Sequence, residues 1–199
     1  MFVRSAWYAG LCLAVLASYA SAQPAKPRPV QAGQLFKGGF VNVKAPNSSG
    51  WFLVESSSSS IGFTKPGVGP GETLAAQVLL LGLRPTQTSD EFVALIKEGV
   101  QKNHDLKRFT FLESRIDYTT ERQYPCARYY GVLSDKDAPI SFTETRLPRL
   151  EVHGLYCRHP VKTEGGFAAI YSYRGYGTYP RLAESAQEFI QGVEPPASQ

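Results

Sequence analysis

The stretch TSDEFVALIKEGVQKNH, residues 88–104, decides the fold because it is a clear helical segment between two runs of strand-like sequence. Thr88 and Glu91 have the spacing of a capping box, in which each side chain bonds the other residue's backbone N–H. Acidic residues open the segment and basic residues close it, as the helix dipole favours. One face of the helix is apolar and consists of Phe92, Leu95, Ile96 and Val100. Such a helix needs an apolar sheet face to cover.

Strand-like segments lie on both sides of this helix. Before it come WFLVE at residues 51–55, SIGFTK at residues 60–65 and TLAAQVLLLGL at residues 73–83. After it come KRFTFLESRIDYTTER, YPCARYYGVL, RLEVHGLYC and GFAAIYSYR, which are rich in alternating and aromatic residues. A second amphipathic helix begins near Pro180. This order predicts an α+β fold in a single domain, with an antiparallel sheet of about six or seven strands flanked by two main helices.

The first 22 residues have the pattern of a secretory signal peptide. A single charge, Arg4, precedes a short apolar centre, and the small residues Ala20, Ser21 and Ala22 follow it, so we expect cleavage after Ala22. An uncleaved membrane anchor is the alternative, but a spanning helix needs about 20 predominantly apolar residues, and this centre is shorter. We therefore expect a periplasmic or secreted protein with no integral membrane segment after cleavage.

The rest of the chain divides into a leader, one domain and a short tail. Residues 23–35 hold three prolines and few large apolar groups, which predicts a mobile leader. Residues 36–195 suit one α+β domain, and residues 196–199 form a tail. Cleavage removes Arg4 and no acid, so the formal charge falls from +4 to +3. A charge this small favours solubility over binding to nucleic acid.

Cys126 and Cys157 are the two cysteines that cleavage leaves in the chain. An even count in an oxidising compartment predicts a disulfide between them. A reactive thiol is an alternative, because Cys157 lies between His153 and His159 in the sequence HGLYCRHP. On a strand, however, the side chains of Cys157 and His159 stand about 6–7 Å apart, which is too far for a hydrogen bond. No ligand spacing predicts a metal site, and no cofactor motif is present.

The order of the elements resembles that of the PsbP/Mog1/DcrB-like superfamily. The resemblance lies in the helix SDEFVALIKEGVQK after a loop, and in the closing strand and helix, AAIYSYRG and RLAESAQEFIQGV. It covers most of the domain at the level of architecture. It implies a curved antiparallel sheet between helices. It also implies an accessory or binding role without a catalytic centre, as in many members of that group.

Few residues suggest catalysis. No G-x-S-x-G sequence is present to supply a serine nucleophile. Glu151 and His153 alternate on one predicted strand, where a carboxylate can tune a neighbouring histidine as a base. A small secreted hydrolase with a site near His153 or His159 is therefore one alternative. An immunity-type inhibitor of a toxin is another, since a small exported domain suits that role.

A tyrosine- and arginine-rich turn, YSYRGYGTYPR at residues 171–181, is the strongest candidate for a binding surface. Both residue types supply contact area and hydrogen bonds at recognition surfaces. Tyr171 and Tyr173 either belong to this surface or are core positions of a strand. The candidate partner-binding residues are Arg174, Tyr176, Tyr179 and Arg181, with Arg128 and Tyr130 as a similar cluster beside Cys126. We expect a non-enzymatic binding or accessory protein whose partner is an envelope or secreted protein, a peptide or a glycan.

Overall fold

The computed structural model describes residues 26–103, 105–137, 146–162 and 164–196. These residues form eleven strands and two helices. In chain order they are β1 (Arg28–Pro29), β2 (Leu35–Lys37), β3 (Asn42–Lys44), β4 (Phe52–Ser56), β5 (Ser60–Pro66), β6 (Thr73–Gly82), α1 (Ser89–Asn103), β7 (Phe109–Thr119), β8 (Cys126–Asp135), β9 (Arg149–Arg158), β10 (Gly165–Gly175), α2 (Leu182–Gln191) and β11 (Val193–Glu194).

Three of the predicted segments fall wholly or partly outside the described residues. They are the signal peptide, residues 23–25 of the leader and residues 197–199 of the tail. Within the described ranges, neither helix is long and apolar enough to span a bilayer.

Eight strands form one antiparallel sheet in the order β1-β4-β5-β6-β10-β9-β8-β7, and the other three form a small sheet in the order β11-β3-β2. The predicted α+β class, with a large antiparallel sheet and two helices, is confirmed at this level. The predicted strand number of six or seven is too low. It omits the four strands of two or three residues, which are too short to show an alternating pattern.

Different structural elements pack on the two faces of the main sheet. We call the face that carries Phe167, Tyr171 and Tyr173 the α2 face, because α2 and the small sheet pack on it around Trp51. The opposite face, which carries Ile170, is the α1 face. Helix α1 packs mainly on β7 and β8, whereas α2 packs on β10 and β9. The helices therefore lie on opposite faces and over different parts of the sheet.

Helix α1 begins where its sequence predicts, with one of the two bonds of the predicted capping box; the Glu91 carboxylate bonds the N–H of Gln87 instead of that of Thr88. The Glu91 N–H donates to Thr88 Oγ1 at 3.2 Å, and the Gln87 N–H donates to Glu91 Oε2 at 2.7 Å. The first bond satisfies an N–H group that the first helical turn leaves free, and the second holds the residue before the cap. Helix α2 starts at Leu182, slightly later than predicted, because Arg181 has a left-handed backbone with φ 58°. A residue in that conformation cannot belong to a right-handed helix.

Residues 28–35 are anchored to the fold, although their prolines predict a mobile leader. β1 pairs with β4, and the Val30 N–H donates to Trp51 O at 3.0 Å. β2 then begins at Leu35. Pro29 is tolerated because edge strands can hold a residue that has no N–H to donate. The folded region therefore begins before residue 36.

The last described residues close the small sheet. Val193 is opposite Val43 in the pairing of β11 with β3. The Arg122 guanidinium donates to the carbonyls of Ile190 at 3.0 Å and Val193 at 3.3 Å. The helical spacing of the sequence places Val193 on the second helix, but that helix ends at Gln191. Val193 instead lies in β11 and pairs with Val43 of β3, about 150 positions earlier in the sequence.

Cys126 and Cys157 form a disulfide between β8 and β9. They are directly opposite in the strand register, with their Cα atoms 4.1 Å apart, and both are fully buried on the α2 face. The predicted cross-link is confirmed. Cys157 therefore has no free thiol to act as a nucleophile or a metal ligand.

Candidate binding groove

The predicted partner-binding residues that belong to strands are divided between the two faces of the sheet. Arg174 lies on the α1 face, where its guanidinium is 3.7 Å from the buried carboxylate of Asp135. Arg128 lies on the α2 face, where it bonds Glu121 and, at 2.7 Å, the side-chain oxygen of Gln187 in α2. Successive side chains of a strand point to opposite faces, so residues of both kinds cannot form one continuous surface.

The tyrosines of this turn belong mostly to the core. Tyr171 and Tyr173 are buried on the α2 face, so they are core positions. Tyr179 packs against Tyr173 with their ring centroids 5.2 Å apart. Arg181 is exposed and bonded to Glu184. Of this group, only the outer part of the turn is therefore accessible to a partner.

The two remaining candidates lie elsewhere on the surface. Tyr176 is half-buried, and its carbonyl accepts a bond from Arg146 at 3.4 Å. The Tyr130 ring packs against the His153 imidazole with 5.2 Å between the centroids. Tyr130 follows Cys126 by four residues on β8, so it faces the same side of the sheet as the disulfide.

His159 has a structural role. It is buried, and its Nε2 is 2.9 Å from the carbonyl oxygen of Phe40. Its Nδ1 accepts the N–H groups of Val161 at 3.2 Å and Lys162 at 3.1 Å, so the proton lies on Nε2, which donates to Phe40. Both ring nitrogens are occupied by backbone groups, and this histidine holds the β9–β10 loop against the loop after β2.

His153 lies in a shallow polar depression of the α2 face. Its Nε2 is 3.1 Å from Glu151 Oε1, so the carboxylate–histidine pair suggested by the sequence is formed. The depression has a volume of about 340 Å³, and no serine, threonine or cysteine is among the described residues that line it. His159 is six residues away, about 20 Å along an extended chain, and faces a different environment. The described lining therefore offers the pair no hydroxyl of serine or threonine and no thiol to activate.

An open groove lies on the α1 face where α1 does not reach. Its volume is about 670 Å³. β6, β10 and β9 form its floor, and the end of α1 forms one wall. The apolar residues that line it are Leu79, Leu81, Leu150, Val152, Tyr156, Ala168 and Ile170, with Val100 from α1. The helix packs mainly on β7 and β8 and leaves part of this floor open. Val100, Val152 and Ala168 are buried, and the other apolar residues of the lining are half-buried.

The groove continues into a second cavity of about 400 Å³ between the end of β6 and α1. The two cavities share Leu81, Val100 and Tyr156, so they form one apolar path. Two cationic side chains, Arg84 and Lys102, line the second cavity. Glu98 is shared between them, at 3.9 Å from Arg84 and 2.6 Å from Lys102.

The side of the groove that lies away from the second cavity is polar. Glu55, Ser59 and Ser60 line it from the β4–β5 hairpin, and Gln77 and Ser172 line it from β6 and β10. Glu55 and Gln77 lie in one row across the sheet, two strands apart, which corresponds to about 10 Å. The groove thus joins a polar end to an apolar end.

The serine run of the sequence shapes this polar end. The Ser57 hydroxyl accepts the N–H groups of Ser59 at 3.2 Å and Ser60 at 3.0 Å, which fixes the turn between β4 and β5. The Ser60 hydroxyl then donates to the carboxylate of Glu55. The hairpin predicted from the sequence therefore presents a carboxylate and two serines to the groove.

Tyr129 is among the residues that line the groove, and its hydroxyl is buried against Gly131. Its side chain is 2% exposed, and its Oη has no hydrogen-bond partner among the described residues. Burial raises the pKa of Tyr129 to about 12, although the Ser114 side chain, which does not reach hydrogen-bonding geometry, opposes the shift. The phenol is therefore neutral at ordinary pH and can donate. A buried donor left unpaired costs about 1–3 kcal/mol.

The sequence patterns do not predict this groove. The sequence of β6 predicts a mostly buried strand, but Gln77, Leu79 and Leu81 are only half-buried and line the groove. The sequence features that could point to it are two polar residues, Gln77 within an aliphatic run and Ser172 within an aromatic run. These residues become informative only once they are known to share a face. In the part of the chain that the structure describes, no group of three or more His, Cys, Asp or Glu residues could hold a metal ion.

The chain matches no known protein family and no curated protein. Among solved structures, it is similar to the human StarD13 (DLC2) lipid transfer and protein localization domain, at 17% sequence identity. The match covers 72% of this chain and 89% of that chain, with a TM-score of 0.29. A likeness of this extent supports no conclusion about shared fold or function.

Proposed function

We propose that this chain is an exported, non-enzymatic binding protein that holds an amphipathic small molecule in the groove of the α1 face. The observation that carries the proposal is the groove itself, with a volume of about 670 Å³, an apolar floor and a polar side that includes Glu55, Gln77 and Ser172. Small-molecule sites in proteins have volumes of about 300–1,000 Å³ and combine an apolar lining with a few polar groups.

Export is supported by two features of the chain. Its first 22 residues have the signal-peptide pattern, and its two other cysteines are joined as a disulfide. Stable disulfides are typical of the periplasm and of secreted proteins. Membership of the PsbP/Mog1/DcrB-like superfamily is part of the proposal, since that group includes many binding and accessory proteins.

A binding role accounts for the histidines better than hydrolysis does. His159 uses both ring nitrogens on backbone groups, and His153 pairs with Glu151 in a depression whose described residues include no serine, threonine or cysteine. Hydrolysis through a covalent intermediate needs a nucleophile and a base within hydrogen-bond reach of each other.

The proposal is tested with an uncharged apolar fluorophore, N-phenyl-1-naphthylamine, titrated into the purified protein. We expect saturable fluorescence enhancement at one site. Ile170→Trp, which fills the floor of the groove, should weaken binding at least about tenfold, the equivalent of 1.4 kcal/mol. Val161→Trp is the matched control, because Val161 is 62% exposed on a loop. It should bind as the wild type does.

Ser172→Phe narrows the groove from its polar side and serves as a second blocking variant, with the fold of each variant checked by circular dichroism. Absence of saturable binding to the wild type would refute the proposal. Equal binding by folded wild type, Ile170→Trp and Ser172→Phe would refute the location.

A protein partner at the outer part of the Tyr/Arg turn is a second candidate function. A separate cavity of about 390 Å³ lies there, lined by Trp51, Lys65, Tyr179 and Arg181 among others. Its lining also includes Glu188, but Trp51, Tyr179 and the two cations could contact an acidic peptide. Arg181→Glu should remove a partner captured from envelope extract, and Lys107→Glu, at an exposed site outside this cavity, should not. An unchanged partner list in Arg181→Glu would dismiss this surface.

A further inference from the structure

We infer that the protein forms a two-fold symmetric dimer in which the β7 strands of two copies pair antiparallel at the edge of the main sheet. The surface is separate from the groove, because no β7 residue is among those that line it. Three features carry the dimer: the open edge that β7 presents, the regular part of that strand, and the charges that pairing places opposite each other.

β7 is an open edge of the main sheet. The strand order ends at β7, so within the described chain only β8 pairs with it. It has eleven residues, none of them buried, and alternate backbone groups of such a strand point away from its neighbour. The opposite edge is β1, which has two residues and includes Pro29. Short strands and prolines protect an edge from pairing, and β7 is neither short nor interrupted by proline.

The regular part of β7 comprises residues 113–119. The pairing with β8 shifts register between Phe111 and Glu113, which marks a bulge, and from there to Thr119 the pairing is uninterrupted. A bulge bends and twists its strand, so a second strand adds most easily to the regular part. Two copies of this seven-residue segment overlap fully when the central residue, Ile116, lies opposite itself across a two-fold axis.

The charges of this segment are complementary in that register. Arg115 of each copy lies opposite Asp117 of the other copy, so the pair occurs twice. The two side chains are 71% and 62% exposed, and within one copy they form an ion pair at 2.9 Å. Both point to the α2 face because they are two positions apart on the strand. The four charges therefore alternate in sign around the axis, and opposite charges that face each other stabilise a strand pair.

Neighbouring registers are less favourable. An axis at Arg115 sets the arginine against itself and Glu113 against Asp117. An axis at Asp117 sets the aspartate against itself. Like charges directly opposite each other destabilise a strand pair. An axis at Ser114 would draw Leu112, the extra residue of the bulge, into the pairing. The charges and the bulge thus favour the axis at Ile116.

The other face of the same pairing is free of charge. Ile116 lies opposite itself, and Tyr118, which is 40% exposed, lies opposite Ser114. The three charged residues of the segment occupy the alternate positions, so none of them points to this face. Pairing therefore covers apolar surface beside α1 without burying a charge there.

The dimer is tested by sedimentation velocity of the purified protein between about 1 and 200 µM. We expect a reversible monomer–dimer equilibrium in the wild type. Arg115→Asp and Asp117→Arg each turn both opposite-charge pairs into like-charge pairs, so each should weaken dimerisation at least about fivefold. Arg28→Asp is the matched control, because Arg28 is exposed on β1 at the opposite edge of the sheet. It should dimerise as the wild type does.

Exchanging the charges tests the register. An equimolar mixture of the Arg115→Asp and Asp117→Arg proteins places two aspartates opposite two arginines, so it should form a heterodimer at concentrations where each variant alone is monomeric. The double variant Arg115→Asp, Asp117→Arg should dimerise by itself for the same reason. In the wild type, hydrogen exchange of the amides of residues 113–119 should slow as the protein concentration rises. Circular dichroism checks the fold of each variant.

Each outcome bears on a separate part of the inference. A wild type that stays monomeric at about 200 µM would refute self-pairing and leave this edge to a strand of another protein. A dimer that neither charge reversal weakens would refute the β7 interface. Charge reversals that weaken the dimer, with no recovery in the mixture or in the folded double variant, would refute the register.

Discussion

Breaking the Cys126–Cys157 bond should destabilise the protein by an amount that follows from the loop it closes. The two residues are 31 positions apart. In the chain-entropy model, a cross-link over a loop of this length restricts the unfolded chain by about 3.7 kcal/mol. For a domain of this size each kcal/mol corresponds to about 2–4 °C, so reduction should lower Tm by about 7–15 °C.

Urea unfolding of the oxidised protein and of the protein held in dithiothreitol measures this difference directly. Both forms keep both sulfur atoms in the core, so the comparison isolates the bond from the packing. The double variant Cys126→Ala, Cys157→Ala is the control, and its stability should not respond to dithiothreitol. The reasoning is refuted if fully reduced and oxidised proteins have the same free energy of unfolding. Alkylation of Cys126 and Cys157 in unreduced, unfolded protein would refute the cross-link itself.

Two further substitutions test the packing and the charges of the α1 face. Gly131→Ala would place a Cβ 2.1 Å from Tyr129 Oη, so it should lower the free energy of unfolding in urea by about 1–3 kcal/mol. Gly82→Ala is the control, because a Cβ there has nothing within 4 Å, and it should lower the free energy of unfolding by less than about 1 kcal/mol. Equal losses of stability in the two variants would contradict the close approach at Gly131. The Arg108 guanidinium, bonded at 2.8 Å to each carboxylate oxygen, holds the pKa of buried Asp135 below its ordinary value of 3.8. A carboxyl whose pKa is lower in the folded state stabilises above its unfolded pKa, and this stabilisation is lost as the pH falls through the folded pKa. Asp135→Asn should therefore be about 3 kcal/mol less stable than the wild type at pH 7, and this difference in stability should narrow below about pH 4. A difference that stays constant down to pH 2 would contradict this account.

The main elements of the fold could be predicted because their patterns are local. The capping residues and apolar face of α1 are separated by three or four positions, and the long strands alternate over several residues. The short strands could not be predicted in this way. β3 and β11 hold two or three residues each, and Val193 pairs with Val43 only because distant parts of the chain meet. The same limit explains the leader, because Arg28 and Pro29 are ordered by pairing with β4.

The candidate site was harder to predict than the fold. Tyrosine and arginine content drew attention to residues 171–181, yet Tyr171 and Tyr173 alternate with residues of the other face and fill the core. Sequence composition alone cannot assign a residue to one face of the sheet, because it does not show which face each helix covers. The groove exists because α1 packs over β7 and β8 and leaves β6 and β10 open. That placement depends on tertiary packing and not on the sequence of any one strand.

The pairing of β11 with β3 makes the carboxyl-terminal end a support for distant positions. Residues Ile190 and Val193 accept bonds from Arg122, and Val193 also holds Val43 in the small sheet. An exopeptidase that removed residues from 193 onwards would therefore loosen the amino-terminal half of the domain as well as the end that it digests. Carboxyl-terminal affinity tags for this protein consequently belong beyond residue 196, where they leave that pairing intact.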